Sequence, residues 1–299
     1  MELKAGLAKL TFVETENQAF FPAPVPGAEA PVPMDVQPSP NNPSWGPLEA
    51  VGVWVASVLL ILFVPLVFLL PYMATLDPPI TDGEKLAEFA KNDPTAILLQ
   101  ILAVIPAHLF TVLLAWLVVT RGKKFPFRQT LGWRSGGFQW WHYAVILAGF
   151  FVLAAIVGSF VPEQDNDLLR ILGSSRSAVY VIAFVATFTA PFVEELVYRG
   201  VLYSAFQRKM GIPAAFILVT LLFALVHVPQ YYPSYSTILL LGLLSLILTS
   251  IRYKTNNLWP CVVLHTLFNG IQSAMFIAEP FLKDAKVPDP SAVFFHLFK

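Results

Sequence analysis

The chain has 299 residues, of which 56% are hydrophobic and only 13% are charged, with a mean hydropathy of +0.65. Soluble domains carry roughly 25% charged and 45–50% apolar residues, so this composition indicates a membrane protein. The 19 basic and 19 acidic residues cancel, which excludes a basic nucleic-acid-binding protein and an acidic solvating tail. Cys261 is the single cysteine, so an intramolecular disulfide is excluded as well.

Seven long apolar stretches follow one another along the chain. They cover residues 51–76, 95–120, 138–161, 178–207, 212–230, 234–251 and 258–278. A helix needs about 20 apolar residues to cross a hydrocarbon core of ~30 Å, and every stretch is near or above that length. The predicted fold is therefore all-α, a polytopic transmembrane helix bundle of about seven spans. Pro229 and Pro233 are expected to tilt or shorten the fifth and sixth spans.

The basic residues of the loops predict the orientation of the bundle. The loops after the second, fourth and sixth spans carry nine Lys or Arg, whereas the loops after the first, third and fifth carry four. Since cytoplasmic loops are enriched in Lys and Arg, the first set is predicted to be cytoplasmic. This places the N-terminus inside and the C-terminus outside. The predicted location is the bacterial plasma membrane.

The segments outside the spans divide the chain further. Nine prolines lie between Pro22 and Pro47, so residues 1–48 are predicted to form a mobile, Pro-rich cytoplasmic tail. Removal of residues 1–44 is expected to leave folding intact. Residues 49–177 are assigned to the first three transmembrane helices and their loops, with a short surface helix over 81–92. Residues 178–278 are assigned to a catalytic core of four helices, and residues 279–299 to a C-terminal tail, of which 292–298 could lie in the membrane interface.

Only three charged residues fall inside the apolar stretches, and all three are in the fourth: Glu194, Glu195 and Arg199. A charge at mid-membrane costs at least ~2.5–3.5 kcal/mol, which makes such residues functional candidates. Glu195 and Arg199 are one helical turn apart and can form an ion pair. That pair has a purely structural explanation, because it could simply hold helices together. Glu194 is rotated by ~100° from Glu195, and its partner must come from another helix or from water.

Pro191 precedes the two glutamates by one turn. In an α-helix it would leave the carbonyl of Thr187 without its donor and kink the helix. Such a break is tolerated within the membrane only where protein or a wet cavity surrounds it. The sequence therefore predicts a kink next to the glutamates.

Two other spans supply complementary polar groups. The fifth contains Phe223 and His227 four residues apart, and the seventh contains His265 and Asn269 at the same spacing. At 1.5 Å per residue, Glu194, His227, His265 and Asn269 lie roughly 17–27 Å from the nearest cytoplasmic basic residues, so they can share one layer near the membrane middle. His108, in the second span, is interpreted as an interhelical hydrogen-bond donor.

These groups support two kinds of chemistry. A carboxylate assisted by a histidine can deprotonate water for attack on a carbonyl, and an imidazole and an amide can then stabilise the oxyanion. Alternatively, Glu194, His227 and His265 could hold Zn²⁺ as a three-ligand catalytic site. Neither an H-E-x-x-H nor a G-x-S-x-G motif is present, and the spacing alone does not decide between the alternatives.

The three motifs occur in order on separate spans. They read Glu194-Glu195-x-x-x-Arg199, Phe223-x-x-x-His227 and His265-x-x-x-Asn269. Together they resemble the motifs of the CPBP family, which comprises the type II CAAX prenyl proteases and the bacteriocin-processing, Abi-like enzymes. The resemblance covers about residues 178–277. Tyr198 is a departure, since the family often has Phe there.

The resemblance implies an intramembrane glutamic endopeptidase. Carried over by motif, Glu194 and His227 would activate water, while His265 and Asn269 would form the oxyanion hole. The same motifs give Glu195, Arg199 and Phe223 supporting roles. No cofactor is expected, and the zinc-dependent version of the protease is the alternative.

The expected partners follow from the same interpretation. They are the lipid bilayer and a peptide or lipidated protein substrate, with no nucleic acid. The physiological substrate does not follow from the sequence. Two non-enzymatic alternatives stay open: a membrane immunity or scaffold protein without turnover, and a transporter that uses Glu194 as a proton relay.

Overall fold

The structure is a computed structural model that describes residues 37–284. Over that range the regular structure is helical, apart from one isolated bridge between Ser39 and Asn42. The α-helices are α1 (Pro47–Met73), α2 (Gly83–Asn92), α3 (Pro94–Thr120), α4 (Phe127–Thr130), α5 (Trp140–Phe160), α6 (Asp167–Ser174), α7 (Arg176–Phe184), α8 (Ala190–Glu195), α9 (Tyr203–Met210), α10 (Ile212–Tyr231), α11 (Tyr235–Thr255) and α12 (Trp259–Asp284). Two π-helical segments join them in the middle, the first π segment (Val185–Thr189) between α7 and α8 and the second π segment (Leu196–Leu202) between α8 and α9.

Seven of the described helical stretches are long and apolar enough to cross a membrane. They are Pro47–Met73, Pro94–Thr120, Trp140–Phe160, Arg176–Met210, Ile212–Tyr231, Tyr235–Thr255 and Trp259–Phe281. The predicted all-α transmembrane bundle is thus confirmed, and the chain is an integral membrane protein. All seven predicted spans are found, with ends that shift by a few residues.

Local signals explain where several helices begin. Asp82 caps α2 by accepting hydrogen bonds from the backbone N–H groups of Glu84 and Lys85, so the predicted surface helix is confirmed. Asp93 caps α3 in the same way, because an acceptor at this position satisfies an otherwise unpaired N–H. Where the fifth span ends, α10 continues through Pro229 to Tyr231. The fifth span is therefore not shortened at that proline.

Small residues let the first two spans pack closely. Ala50 of α1 and Ala103, Ala107 and Ala115 of α3 are fully buried. Transmembrane helices gain little from the hydrophobic effect between them, because lipid is as apolar as their side chains, so close approach of backbones supplies the attraction. This pair of helices forms the wall against which the fourth span lies.

The predicted N-terminal tail extends too far along the chain. Residues 1–36 lie outside the described part, so the prediction stands untested there, but residues 37–46 pack against the bundle. Trp45 is 1% exposed, and its indole Nε1–H donates to the backbone oxygen of Val201 over 3.0 Å. The Pro-rich composition predicts a mobile tail, but the buried side chain of Trp45 fixes the last residues of this segment to the bundle. The first helix, α1, begins at Pro47.

Further contacts fix this N-terminal segment to two predicted cytoplasmic loops. Arg121 follows the last residue of α3. Its guanidinium donates a hydrogen bond to the backbone oxygen of Ser44 and forms an ion pair with Glu49. The side-chain amide of Gln207 donates to the backbone oxygen of Pro40 over 3.0 Å. We therefore expect removal of residues 37–44 to lower stability, in contrast to the prediction from the sequence that residues 1–44 are dispensable. At the C-terminal end, α12 reaches Asp284, so the predicted tail from residue 279 begins as helix; the interfacial segment 292–298 lies outside the described residues.

Gly132 lies in the loop after the second span, where this loop meets the N-terminal segment and the loop after the sixth span. We call this the basic end of the bundle, because its loops carry most of the Lys and Arg residues of the connecting loops. Its φ of +66° is a left-handed conformation, and a Cβ there would come within 2.5 Å of Pro40 and 2.6 Å of the backbone oxygen of Asn256. Its own carbonyl accepts a hydrogen bond from the N–H of Leu258. Only glycine fits such a conformation and such a close approach. The N-terminal segment and the loops after the second and sixth spans thus meet at one end of the bundle.

The orientation of the bundle is a prediction that cysteine labelling can test. Cys261 is fully buried, so it should not react with a membrane-impermeant maleimide. Lys124→Cys and Asp165→Cys place thiols at exposed positions of opposite loops. We expect labelling of Asp165→Cys in intact cells and of Lys124→Cys only after lysis. Labelling in the reverse order would mean that the N-terminus is outside.

Candidate active site

The fourth span is irregular where the sequence places its charges. In the first π segment the N–H of Ala190 donates to the carbonyl of Val185, five residues earlier. In this register the donor that Pro191 lacks would have paired with the carbonyl of Ala186. That oxygen accepts a hydrogen bond from the side-chain amide of Asn269 over 2.8 Å. The predicted break is present, but the π turn moves the freed carbonyl from Thr187 to Ala186.

Glu195 and Arg199 form the predicted ion pair within the span. Arg199 Nη1 lies 2.7 Å from Glu195 Oε1, and both side chains are 0% exposed. The guanidinium also donates to the hydroxyl and backbone oxygens of Ser245, over 2.8 and 3.0 Å. Because Ser245 belongs to α11, this charge pair joins the fourth span to the sixth. A pair that holds helices together, one of the two interpretations of the sequence, would make such a link between spans.

His265 connects the two glutamates. Its Nδ1 lies 2.8 Å from Glu195 Oε1, and its Nε2 lies 3.8 Å from Glu194 Oε2. A carboxylate only accepts hydrogen bonds, so Nδ1 carries the hydrogen. In the neutral ring Nε2 is then an acceptor, and it becomes a donor only in the imidazolium form. A carboxylate that fixes the tautomer of a histidine in this way also fixes the direction of the second nitrogen.

Glu194 differs from its neighbour in exposure and in contacts. Its side chain is 24% exposed, and its contact with His265 is longer than a hydrogen bond. Glu195, by comparison, is fully enclosed, with one oxygen shared by Arg199 and His265. Of the two adjacent carboxylates, only Glu194 is accessible to water or to a ligand.

Phe223 lies at the centre of the polar cluster. It is fully buried, and its ring is 4.7 Å from the ring of His227 and 6.0 Å from that of His265, measured between centroids. Its ring also faces the guanidinium carbon of Arg199 at 4.9 Å, in the geometry of a cation–π contact. The aromatic residue of the second motif thus packs against residues of the other two.

His227 is oriented by its own helix. Its Nδ1 lies 2.6 Å from the backbone oxygen of Phe223. Since a carbonyl only accepts, Nδ1 carries the hydrogen and Nε2 of the neutral ring is free to accept a proton. No direct contact joins His227 to Glu194 among the described residues, so any cooperation between them must pass through a bound water or a substrate.

The seventh span contacts the fourth through side chains at intervals of four residues. His265 and Asn269 are joined in this row by Ser273, whose hydroxyl accepts a hydrogen bond from Thr187 over 3.0 Å. Ser273 is not among the residues predicted from the motifs, although its spacing continues that of His265 and Asn269. One hydrogen of the Asn269 amide is committed to Ala186, and the second remains available for another acceptor.

His108 contributes from α3, and the prediction of an interhelical hydrogen bond is confirmed. Its Nδ1 lies 3.0 Å from the hydroxyl of Thr189 in the first π segment. That hydroxyl already donates to the carbonyl of Val185, so it accepts from His108. His108 therefore faces the first π segment, which lies next to the helix that carries Glu194. Depth could have revealed this proximity, because 13 residues separate His108 from Arg121, or about 20 Å.

Tyr198 stands where the motif often has Phe, and the hydroxyl group that distinguishes it from Phe takes part in a hydrogen bond. Its oxygen accepts a hydrogen bond from the indole of Trp54 over 3.0 Å. Trp54 lies on α1, so the contact holds the second π segment against the first span. A phenylalanine at this position would leave the indole N–H without this partner.

The alternative zinc site would need at least three ligand side chains grouped around one point. Among residues 37–284, no three His, Cys, Asp or Glu side chains are grouped so that they could hold a metal ion. In this arrangement Glu194, His227 and His265 are not gathered into such a three-ligand group. Nδ1 of His265 and Nδ1 of His227 are both directed at protein acceptors, so Nε2 is the ring nitrogen that each histidine has left for another partner.

These observations define an all-helical integral membrane protein with a carboxylate, three histidines and an amide gathered around an irregular fourth span. Residues 176–271 match the family model of the type II CAAX prenyl endopeptidases, described as Rce1-like. The matched segment contains all three motifs, so the resemblance predicted from them is confirmed over this part of the chain.

A curated relative gives a second comparison. UPF0177 protein YvdC of Lactococcus lactis subsp. lactis is 36% identical over 136 residues, which is 44% of this chain and 48% of the relative. The chain thus spans about half the length of the curated relative that it matches. No solved structure matches the chain.

Proposed function

We propose that the protein is an intramembrane endopeptidase that hydrolyses peptide bonds of membrane-associated proteins or peptides with a water molecule activated by Glu194. The observation that carries the proposal is the difference between the two glutamates inside a segment that matches a family of prenyl endopeptidases. Glu195 is enclosed by Arg199 and His265, and Glu194 is open on one side. An accessible carboxylate beside a histidine is the arrangement that general base catalysis requires.

The proposed reaction begins with a water molecule bound between Glu194 and His227. Glu194 removes one proton, and the hydroxide adds to the carbonyl carbon of the scissile peptide bond. His227 accepts a hydrogen bond from the same water at Nε2, which orients the oxygen. When the tetrahedral intermediate collapses, the carbon–nitrogen bond breaks and Glu194 returns its proton to the leaving amine. The carboxylate is then regenerated, and one water has been consumed.

Two donors on α12 support stabilisation of the oxyanion. The uncommitted hydrogen of the Asn269 amide is one of them. His265 is the other, and it donates from Nε2 only as the imidazolium, because Nδ1–H is directed at Glu195. Removing one donor from an oxyanion hole costs about 10²–10³-fold in rate. Glu195, Arg199 and Phe223 act through their neighbours, since they orient His265 and His227 without facing the substrate.

Turnover by the purified protein tests the proposal. The substrates are internally quenched peptides that carry a C-terminal CAAX sequence, in farnesylated and unmodified form, presented in detergent micelles. We expect cleavage of at least one of them, with Asn269→Ala slower by 10²-fold or more. If neither peptide is cleaved by protein that unfolds cooperatively, while both peptides bind to it, the protein is a membrane binding protein without turnover.

Metal dependence separates the two proposed versions of the protease. With Glu194 as the base, activity should survive exhaustive dialysis against EDTA, and active protein should contain no stoichiometric zinc. The measurement is cleavage before and after dialysis, with metal content determined on the same samples. Activity that is lost on dialysis and restored by Zn²⁺ would assign Glu194, His227 and His265 as metal ligands.

A further inference from the structure

A groove at the basic end of the bundle lies away from the candidate active site. It has a volume of about 350 Å³ and is bounded by the first turns of α5 and the last turns of α11. The lining residues are Phe138, His142, Ile146, Leu246, Ile247, Ser250, Ile251, Lys254 and Thr255. The volume is in the range of small-molecule sites, which is about 300–1,000 Å³. None of the three predicted catalytic motifs contributes to it.

Aromatic residues place the mouth of the groove at the level of the lipid headgroups. Trp140 is 78% exposed, and Trp141, the next residue in α5, is 49% exposed. Exposed Trp and Tyr side chains collect where the hydrocarbon core meets water. From Lys254 the groove extends along α11 to Leu246, eight residues or about 12 Å toward the membrane middle. It therefore opens to the lipid phase along its length.

The polar groups of the groove are concentrated at its mouth. Lys254 is exposed and has no ion-pair partner among the described residues. Nδ1 of His142 accepts a hydrogen bond from the N–H of Gln139 over 2.8 Å, so the hydrogen of the neutral ring is on Nε2. The hydroxyls of Ser250 and Thr255 donate to carbonyls of their own helix. Lys254 and His142 thus supply the donors, and no carboxylate lines the groove.

We infer that this groove is a binding site for an anionic phospholipid of the adjacent leaflet. Its phosphate would lie against Lys254 and His142, and part of one acyl chain would occupy the apolar depth beside Ile146 and Ile247. The ligand class follows from the chemistry, because the occupant must be apolar in the membrane, negative at the headgroup level and rich in acceptors. A basic residue near a membrane surface contributes about 1 kcal/mol to the attraction of anionic lipid, which corresponds to about five-fold in affinity.

Lipid binding by the full-length protein in detergent tests the inference. Native mass spectrometry gives the apparent affinities for dioleoyl phosphatidylglycerol and dioleoyl phosphatidylcholine. We expect the wild-type protein to prefer phosphatidylglycerol and Lys254→Gln to lose about five-fold of that affinity. Lys209→Gln is the matched control, because Lys209 is exposed at the same end of the bundle but lies outside the groove. It should keep the wild-type preference.

A second variant tests the groove without changing the charge. Ser250→Trp should fill the space between α5 and α11 and weaken binding of phosphatidylglycerol while Lys254 is still present. Equal affinities for the two lipids, equal losses in the two lysine variants, or unchanged binding by Ser250→Trp would each overturn the assignment. The proposed peptidase activity has no part in this measurement, so the two proposals succeed or fail separately.

Discussion

Glu194→Gln should abolish peptide cleavage while leaving the stability of the protein nearly unchanged. The substitution keeps the size of the side chain but removes the proposed base, so a loss of 10²-fold or more in kcat is expected. Stability should be little affected, because the contact between Glu194 and His265 is 3.8 Å long and the side chain is 24% exposed. The measurements are kcat on a cleaved peptide and thermal unfolding in the same detergent.

Glu195→Gln is the matched control, since it makes the same chemical change one residue later. It should lower stability together with activity, because Arg199 would keep its charge in a fully buried position. Breaking a buried ion pair in this way costs about 3–5 kcal/mol. Near-normal cleavage by Glu194→Gln, combined with a stable but inactive Glu195→Gln, would show that the base is the other carboxylate.

Trp45→Ala should be among the most destabilising single substitutions in the chain. The indole is 1% exposed and occupies the space between the first span and the second π segment. Replacing a buried Trp by Ala costs about 3–5 kcal/mol, and the carbonyl of Val201 would also lose its hydrogen-bond donor. Thermal unfolding in detergent should show a large decrease in midpoint.

Trp140→Ala provides the comparison of the same residue change at an exposed position. Trp140 is 78% exposed and faces the lipid, so its replacement should shift the midpoint much less. A pair of deletions extends the test. Removing residues 1–36 takes away none of the contacts described for Trp45, Ser44 and Pro40, whereas removing residues 1–46 takes away all of them. Equal stability of the two deletions would contradict the packing of residues 37–46.

The spans were predictable because each is a single apolar stretch. The length and apolarity that a helix needs to cross the membrane are properties of that one helix and do not depend on its neighbours. The pairing of Glu195 with Arg199 was predictable for the same reason, since both residues lie on one span. The contacts of His265 with two different carboxylates depend on how two spans, the fourth and the seventh, pack against each other. Spacing along the chain fixes the depth of a residue but not the direction in which its span faces its neighbours.

The N-terminal segment shows where composition misleads. A run of prolines predicts an extended tail, and one tryptophan in that run gives little reason to expect a buried anchor. Trp45 is buried because the backbone oxygen of Val201 accepts its hydrogen bond and a hydrophobic cluster that includes Val201 and Leu202 encloses it, and those residues are distant in sequence. The π segments were equally inaccessible: Pro191 predicts a kink, and nothing in the sequence indicates that a wider turn accommodates the missing hydrogen bond.

The first π segment also determines which glutamate points where. A π turn holds one residue more than an α turn, and one residue in an α-helix corresponds to a rotation of about 100°. If Val185–Thr189 relaxed to an α-helix with α7 held in place, Glu194 would turn to the direction that Glu195 has now. Because the two glutamates are adjacent, either winding would direct one carboxylate at His265. The extra residue in this turn therefore determines which of the two carboxylates is directed at His265 and which is left open.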